Sequence, residues 1–370
     1  MAEAMSLPST YEAMYQRATY LASQGNLVAA AGLLRRIVNR LSSLSDDTLS
    51  RQHGLALFGL QVGRQLATIL SATGSYDESV AVLRDLVRFG PEEDDALARH
   101  MAVVRLAQGQ LDEARQIMLP LTERFTYDPG HWLVLGQIEF SDAHYPEAEA
   151  AFKRAIEVTA NQEDAGTIWY YLFQLHAEQG QVDQALAAWE RMASSDQELA
   201  ASLARELYSF LLRQGEVTKL RRYLDNDAYP LRVEFYRGLL LQREGNFGEG
   251  RRHWERLLEM DPTESPYGLL EFAEAALRLS DIRKAMVVLL ADSEEVQSPY
   301  GFLLLAIAAA KAGRLDEAKR LLQTGTLGLA AHTPRRSHYS QADWEMFTSL
   351  VDNRTFWAEL QSFFAVAEAS

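Results

Sequence analysis

No cysteine occurs among the 370 residues. Disulfides, thiolate metal sites and cysteine nucleophiles are excluded together. Long apolar runs are also missing. None approaches the roughly 18 residues that a membrane-spanning helix needs. The richest, YGFLLLAIAAAKAG at 300–313, is short and closes on Lys-Ala-Gly. The N-terminal stretch MAEAMSLPSTYEAMYQ has no basic segment followed by an apolar core, so no secretory signal is expected. Positive charge is scarce: 36 Lys and Arg face 51 Asp and Glu, a net −15. Such a surface repels phosphate backbones and anionic lipid, which disfavours nucleic acid and membranes and favours neutral or basic protein partners. The same charge also serves simply to keep a long helical chain in solution. β-branched runs are few and Ala, Leu, Glu, Gln and Arg abound, so an all-α, cytoplasmic protein is expected.

What the chain has is repetition. QGQLDEARQIM at 108–118 returns as AGRLDEAKRLL at 312–322. Aligned on the turn of this phrase, Gly25, Gly74, Gly109, Gly180, Gly215, Gly245 and Gly313 share a column, with Ala143 and Ser280 filling its gaps. Successive spacings are 49, 35, 34, 37, 35, 30, 35 and 33 residues, so all but the first cluster near 34.

The neighbouring columns keep step. Two residues after the turn stand Leu27, Tyr76, Leu111, Tyr145, Val182, Val217, Phe247, Ile282 and Leu315. Nine after it stand Leu34, Leu83, Met118, Phe152, Trp189, Leu224, Trp254, Leu289 and Leu322. Seven before it stand Ala18, Ala67, Ala102, Gly136, Phe173, Tyr208, Gly238, Ala273 and Ala306. Five after it, Ala recurs at 30, 114, 148, 185, 285 and 318. Offsets of two, five and nine follow one face of a helix. A turn glycine adopts positive φ and stops the preceding helix, and a following Asp or Asn can accept amide hydrogen bonds at the next helix start. Small residues let two antiparallel helices approach; large ones fill the groove against the next pair.

This pattern resembles the tetratricopeptide repeat. HWLVLGQIEFSDAHYPEAEAAFKRAIEV at 131–158 carries it through Trp132, Gly136, Tyr145, Ala148, Phe152 and Ala155; YRGLLLQREGNFGEGRRHWERLLEMDP at 236–262 carries it through Gly238, Gly245, Phe247, Trp254 and Pro262. The resemblance spans about residues 11–328 in nine repeats. It implies a right-handed α-solenoid of stacked antiparallel helix pairs: a first pair with an irregular extension over 1–60, repeats two to nine over 61–328, and a helical cap over 329–370. There are departures. Ser79, Leu220 and Gly250 replace the expected helix B alanine. YLDNDAYPLR cuts one helix B short, which points to a bend near 215–231. The insertion NRLSSLSDDTLSRQHGLALFG at 39–59 extends a helix or forms a loop.

Residues 340–353 and 355–369 read as two more helices whose aromatics, including Trp344, Phe347, Trp357 and Phe363, cap the last repeat or serve in partner binding or self-association. Chemistry is harder to find. The Walker, nucleophile-elbow and zincin motifs are absent. The eight histidines are scattered with no pair four apart; His131 and His253 sit beside packing tryptophans. EEDDA at 92–96 reads as an acidic turn at a helix start rather than a Ca²⁺ loop, and NRT at 353–355 fits a glycosylation sequon. No metal, cofactor or catalytic residue is expected.

The resemblance implies a concave groove lined by helix A at positions 10, 6 and 3 before the turn. The candidate lining residues are Arg64, Thr68, Arg99, Val103, Leu133, Gln137, Phe140, Tyr170, Gln174, Arg205, Ser209, Phe235, Leu239 and Gln242. Some of them pack against neighbouring helices instead, given the crowding of such stacks. The Lys and Asn clamp by which chaperone-adaptor members grip an acidic tail has no match here. The expected function is a non-catalytic scaffold or adaptor that binds a peptide segment or helix of a partner protein in the assembly of a multiprotein complex. Alternatives are a peptide-sensing regulator and an enzyme with an unfamiliar site; homo-oligomerisation is compatible with each.

Overall fold

Runs of strong helix formers between turn residues fold as helices alone throughout the described residues. The structure, a computed structural model, describes residues 9–23, 26–161, 165–291, 293, 295–332, 339–351, 353, 356, 358 and 360. It divides into two units, Met1–Ala160 and Asn161–Ser370.

The first unit holds α1 (Ser9–Ser23), α2 (Leu27–Ser42), α3 (Asp46–Arg51), α4 (His53–Ala72), α5 (Tyr76–Leu86), α6 (Asp94–Ala107), α7 (Leu111–Arg124), α8 (Pro129–Ser141) and α9 (Tyr145–Val158). The second holds α10 (Gly166–Glu178), α11 (Val182–Ser195), α12 (Gln197–Gln214), α13 (Val217–Asp225), α14 (Pro230–Arg243), α15 (Phe247–Leu257), α16 (Leu269–Arg278), α17 (Ile282–Leu289), α18 (Pro299–Lys311), α19 (Leu315–His332) and α20 (Gln341–Leu350). Each unit is a stack of antiparallel pairs, α1 with α2, α4 with α5, and onward to α18 with α19.

The turn column sets the pairing. Gly74, Gly109, Gly180, Gly215, Gly245 and Gly313 all have φ between +69° and +84°. Ala143 and Ser280, the residues that fill the column's gaps, both sit at +62°. The residue after each turn donates its amide five residues back, from Ser75 to the Leu70 carbonyl (2.8 Å) through Arg314 to that of Ala309 (2.9 Å). That is the Schellman closure of a helix, which satisfies carbonyls the helix leaves open. Helix B then starts at the apolar residue two beyond the turn in every pair. Gly25 lies outside the described residues. Side-chain capping is rarer than expected: of the residues following the turn, Asn26 and Asp281 accept an amide hydrogen bond, whereas Asn246 and Ser75 do not.

The columns before and after the turn form the core. Every member seven before and nine after it is buried. They match in size within a pair. Gly136 faces Phe152 and Gly238 faces Trp254; a Cβ at either glycine would lie 2.5 or 2.3 Å from that ring. Where the partner is Leu or Met, the small residue is Ala, except that Tyr208 takes that place in the pair of Leu224. Phe173 and Trp189 instead meet edge to face at 5.1 Å. Two of the three helix B departures have local reasons. The buried Ser79 hydroxyl donates to the Ala67 carbonyl at 2.7 Å. Gly250 lies so close to α14 that a Cβ would be 2.7 Å from the Gly238 carbonyl oxygen.

The insertion at 39–59 is helical almost throughout: it lengthens α2 and α4 and adds α3. The long α4 corrects one expectation. By length and composition it could cross a membrane, with mean hydropathy 1.2 over 18 residues. Here its apolar residues Phe58, Leu60, Val62, Leu66, Ile69 and Leu70 are buried in the core of its unit. At the other end, Tyr339 donates to the Pro299 carbonyl (3.2 Å), and Phe347, Phe356 and Leu360 are buried, so the chain after α19 covers α18. Trp344 is half-buried, edge-on to Phe347 at 5.9 Å. Trp357 and Phe363 lie outside the described residues.

Candidate functional site

Positions 10, 6 and 3 before the turn fall on the A helices. In the first unit, Arg64 and Thr68 lie on α4, Arg99 and Val103 on α6, and Leu133, Gln137 and Phe140 on α8. Thr68 and Val103 are exposed and the others half-buried. Arg64 donates to Glu93 (2.6 Å) and Arg99 to Asp128 (3.2 Å). Glu93 and Asp128 each stand just before the next A helix, where its dipole favours an acid. In the second unit, Tyr170 donates to Glu206 (2.8 Å) and accepts from Gln174 Nε2 (2.7 Å), while Gln174 Oε1 is shielded from solvent and unpaired. Burial first, then the Glu206 charge, pushes the Tyr170 hydroxyl far above its ordinary pKa. Ser209, Leu239 and Gln242 are half-buried; the Ser209 hydroxyl is 2.9 Å from that of Tyr236. Phe235 departs from the expected lining. It is buried, stacked on Trp254 and edge-on to Tyr236, because α14 carries an aromatic core at that turn.

Arg205 does not lie open to a partner either. It reaches from α12 to Glu271 (2.7 Å) and Glu274 (3.0 Å) on α16, past the intervening pair. Its guanidinium stands 3.8 Å from the centre of the Tyr300 ring on α18, and the Tyr300 hydroxyl donates to Glu274 (2.6 Å). Arg278 adds a second cation on Glu274 (2.6 Å). Burial alone would raise the Glu274 carboxyl; Arg278 and Arg205 overcome it and hold the group below the ordinary carboxylate range. Two arginines and two buried glutamates balance, which is what makes a buried charge cluster tolerable. All three arginines proposed as groove contacts are thus already paired with acids of this chain.

Sequence reasoning left one grouping unconnected. Asp95 on α6, Asp128 before α8 and His131 in its first turn offer ligand atoms within 4.8 Å of one another. His131, read above as an ordinary neighbour of Trp132, is fully buried with both ring nitrogens unpaired. The Asp-x-x-His spacing at 128–131 was the available signal. The partner from the preceding helix pair, Asp95, was visible only as part of an acidic run.

Antiparallel pairs closed by a left-handed residue and stacked in chain order define a helical-repeat protein. The chain carries tetratricopeptide repeats: family models described as tetratricopeptide repeat match residues 99–166, 133–198 and 299–324. No curated protein matches it. Among solved structures, a tetratricopeptide repeat protein from Parabacteroides merdae is 12% identical, with 80% of this chain and 99% of that one covered and a TM-score of 0.36. The APC/C hetero-tetramer Cut9–Hcn1 is 13% identical over 92% of this chain and 76% of that one, with a TM-score of 0.34. MamA (AMB-1) is 16% identical over 51% of this chain and 100% of that one, with a TM-score of 0.31.

Proposed function

We propose that the protein is a non-catalytic scaffold or adaptor that holds a peptide segment or helix of a partner protein on its helix A faces and supports assembly of a multiprotein complex. One observation carries this reading. The columns around the turn are sealed into the core, while within each unit the candidate lining residues between Arg64 and Gln242 stay at least partly accessible, Phe235 excepted; in the last two repeats the same positions are buried, as Leu270, Glu274, Leu277, Leu303, Ile307 and Ala310. A periodic face of that kind offers side chains at matched intervals along several helices, which suits an elongated polypeptide.

The face is mixed in chemistry. Val103, Leu133, Phe140 and Leu239 are apolar, Gln137, Gln174 and Gln242 carry amides, and the arginines are neutralised. A neutral or basic partner suits it, and a chain of net charge −15 adds long-range attraction for basic ones. A cytoplasmic setting fits a chain without cysteine.

Affinity capture of the full-length protein, compared with Leu133→Glu and Leu239→Glu variants, tests the proposal. A partner retained by the parent and lost by a folded variant is the expected outcome. Equal retention by all three places binding elsewhere and overturns the assignment of this face.

A further inference from the structure

We propose that Asp95, Asp128 and His131 form a binding site for one divalent first-row transition ion of the zinc class. The inference is independent of the scaffold reading. The imidazole lies fully buried under the Phe125 ring, whose centre is 5.5 Å away, between two carboxylates. Its Nε2 is 3.9 Å from Asp95 Oδ2 and its Nδ1 3.7 Å from Asp128 Oδ2. Both separations exceed a hydrogen bond, and neither nitrogen has another partner. A buried polar group left so is costly, and native structures supply it a partner, a water or an ion.

The donor set selects the ion. One nitrogen of His131 and an oxygen of each aspartate lie within 4.8 Å of one another. Zinc takes its nitrogen and oxygen ligands at about 2.0–2.2 Å, which puts tetrahedral ligand atoms about 3.4 Å apart, so the three must close by about 1 Å for one ion to reach them all. An imidazole ligand favours zinc and its first-row neighbours over Ca²⁺ or Mg²⁺, which prefer oxygen. Asp95 and Asp128 remain about one-third exposed, at 29% and 35%, which leaves an open side for water or a partner's donor.

Three neighbours oppose a cation. Arg99 lies 3.2 Å from Asp128 Oδ1, the Gly130 amide donates to that same oxygen at 2.7 Å, and Asp95 and His131 occupy the first turns of α6 and α8, where the helix dipole is positive. They lower the affinity. They also make Arg99 diagnostic, because its removal should strengthen binding.

The test titrates the metal-free full-length protein with Zn²⁺ by calorimetry and with Co²⁺ by visible absorption. One ion per chain is expected, with Co²⁺ bands of a low-coordinate nitrogen and oxygen site. Asp95→Asn and His131→Asn should each weaken binding at least about tenfold, since loss of even a supporting group costs that much. Arg99→Gln should tighten it. Circular dichroism checks folding. Should the His131 variant fail to fold, Asp95→Asn, which alters a partly exposed side chain, and Arg99→Gln decide the matter. No uptake by the parent, or uptake unchanged in Asp95→Asn, overturns the site.

Discussion

Replacing Gly136 by Ala places a Cβ 2.5 Å from both Cδ1 and Cε1 of Phe152, a ring with no solvent exposure. Carbon atoms rest at about 3.5–4.0 Å, so the overlap is about 1 Å and the ring has nowhere to retreat. Overpacking of this size costs ~1–3 kcal/mol, against ~1 kcal/mol gained from alanine's better helix propensity. The net expectation for Gly136→Ala is a loss of up to ~2 kcal/mol. Phe152→Leu alone leaves a cavity and is expected to cost ~1–2 kcal/mol, part of the full Phe→Ala penalty. The double variant recreates the Ala and Leu pairing that this chain already uses at Ala67 with Leu83 and Ala306 with Leu322. It should recover most of the loss, with a coupling of ~1–3 kcal/mol. Urea unfolding followed by circular dichroism, with slopes compared across the four proteins, measures the cycle; a long repeat array need not unfold in one step, so midpoints and slopes are both required. A double variant whose loss equals the sum of the singles would refute the size matching of the two columns.

The other predictions concern backbone strain and buried charge. Ala143→Gly and Ser280→Gly relieve non-glycine residues at φ +62° and should each stabilise by ~0.5–1 kcal/mol, the left-handed penalty less the entropy glycine adds to the unfolded chain; unchanged or lower urea midpoints would contradict this. Glu274→Ala strips Arg205, Arg278 and Tyr300 of their shared acceptor and should cost ~3–5 kcal/mol by thermal or urea unfolding. Because the folded Glu274 carboxyl lies below its ordinary 4.5, the unfolded chain binds the proton more tightly. Its contribution is therefore complete above that value and fades as pH falls through the lower folded pKa. Glu274→Gln should flatten the acid limb of the stability curve, and an unaltered limb would assign it to other carboxylates.

Much of the fold was legible because its periodic signals are local. Helix termination by a left-handed residue needs only the residues around the turn, so the columns located all eight described turns, including the two without glycine. The candidate face was legible as a register on the A helices but not in its state of pairing. Nothing within a few residues of Arg205 announces Glu271 or Glu274, which lie in another repeat. Phe235 occupies a lining position by count and a core position in space, because α14 packs Trp254 and Tyr236 around it. The reading of α4 erred in the other direction. Interspersed Gly, Gln and Arg concealed a 20-residue helix that is long and apolar enough, by composition, to cross a membrane.

Sequence alone determined the repeat, its turns and the faces its helices bury, since each depends on residues within one helix pair, where spacing and side-chain size suffice. Tertiary structure decided which charges meet and which imidazole is left without a hydrogen bond. Those outcomes depend on distances between A helices from different repeats. Neither spacing nor composition sets such distances; the packing of whole pairs against one another does.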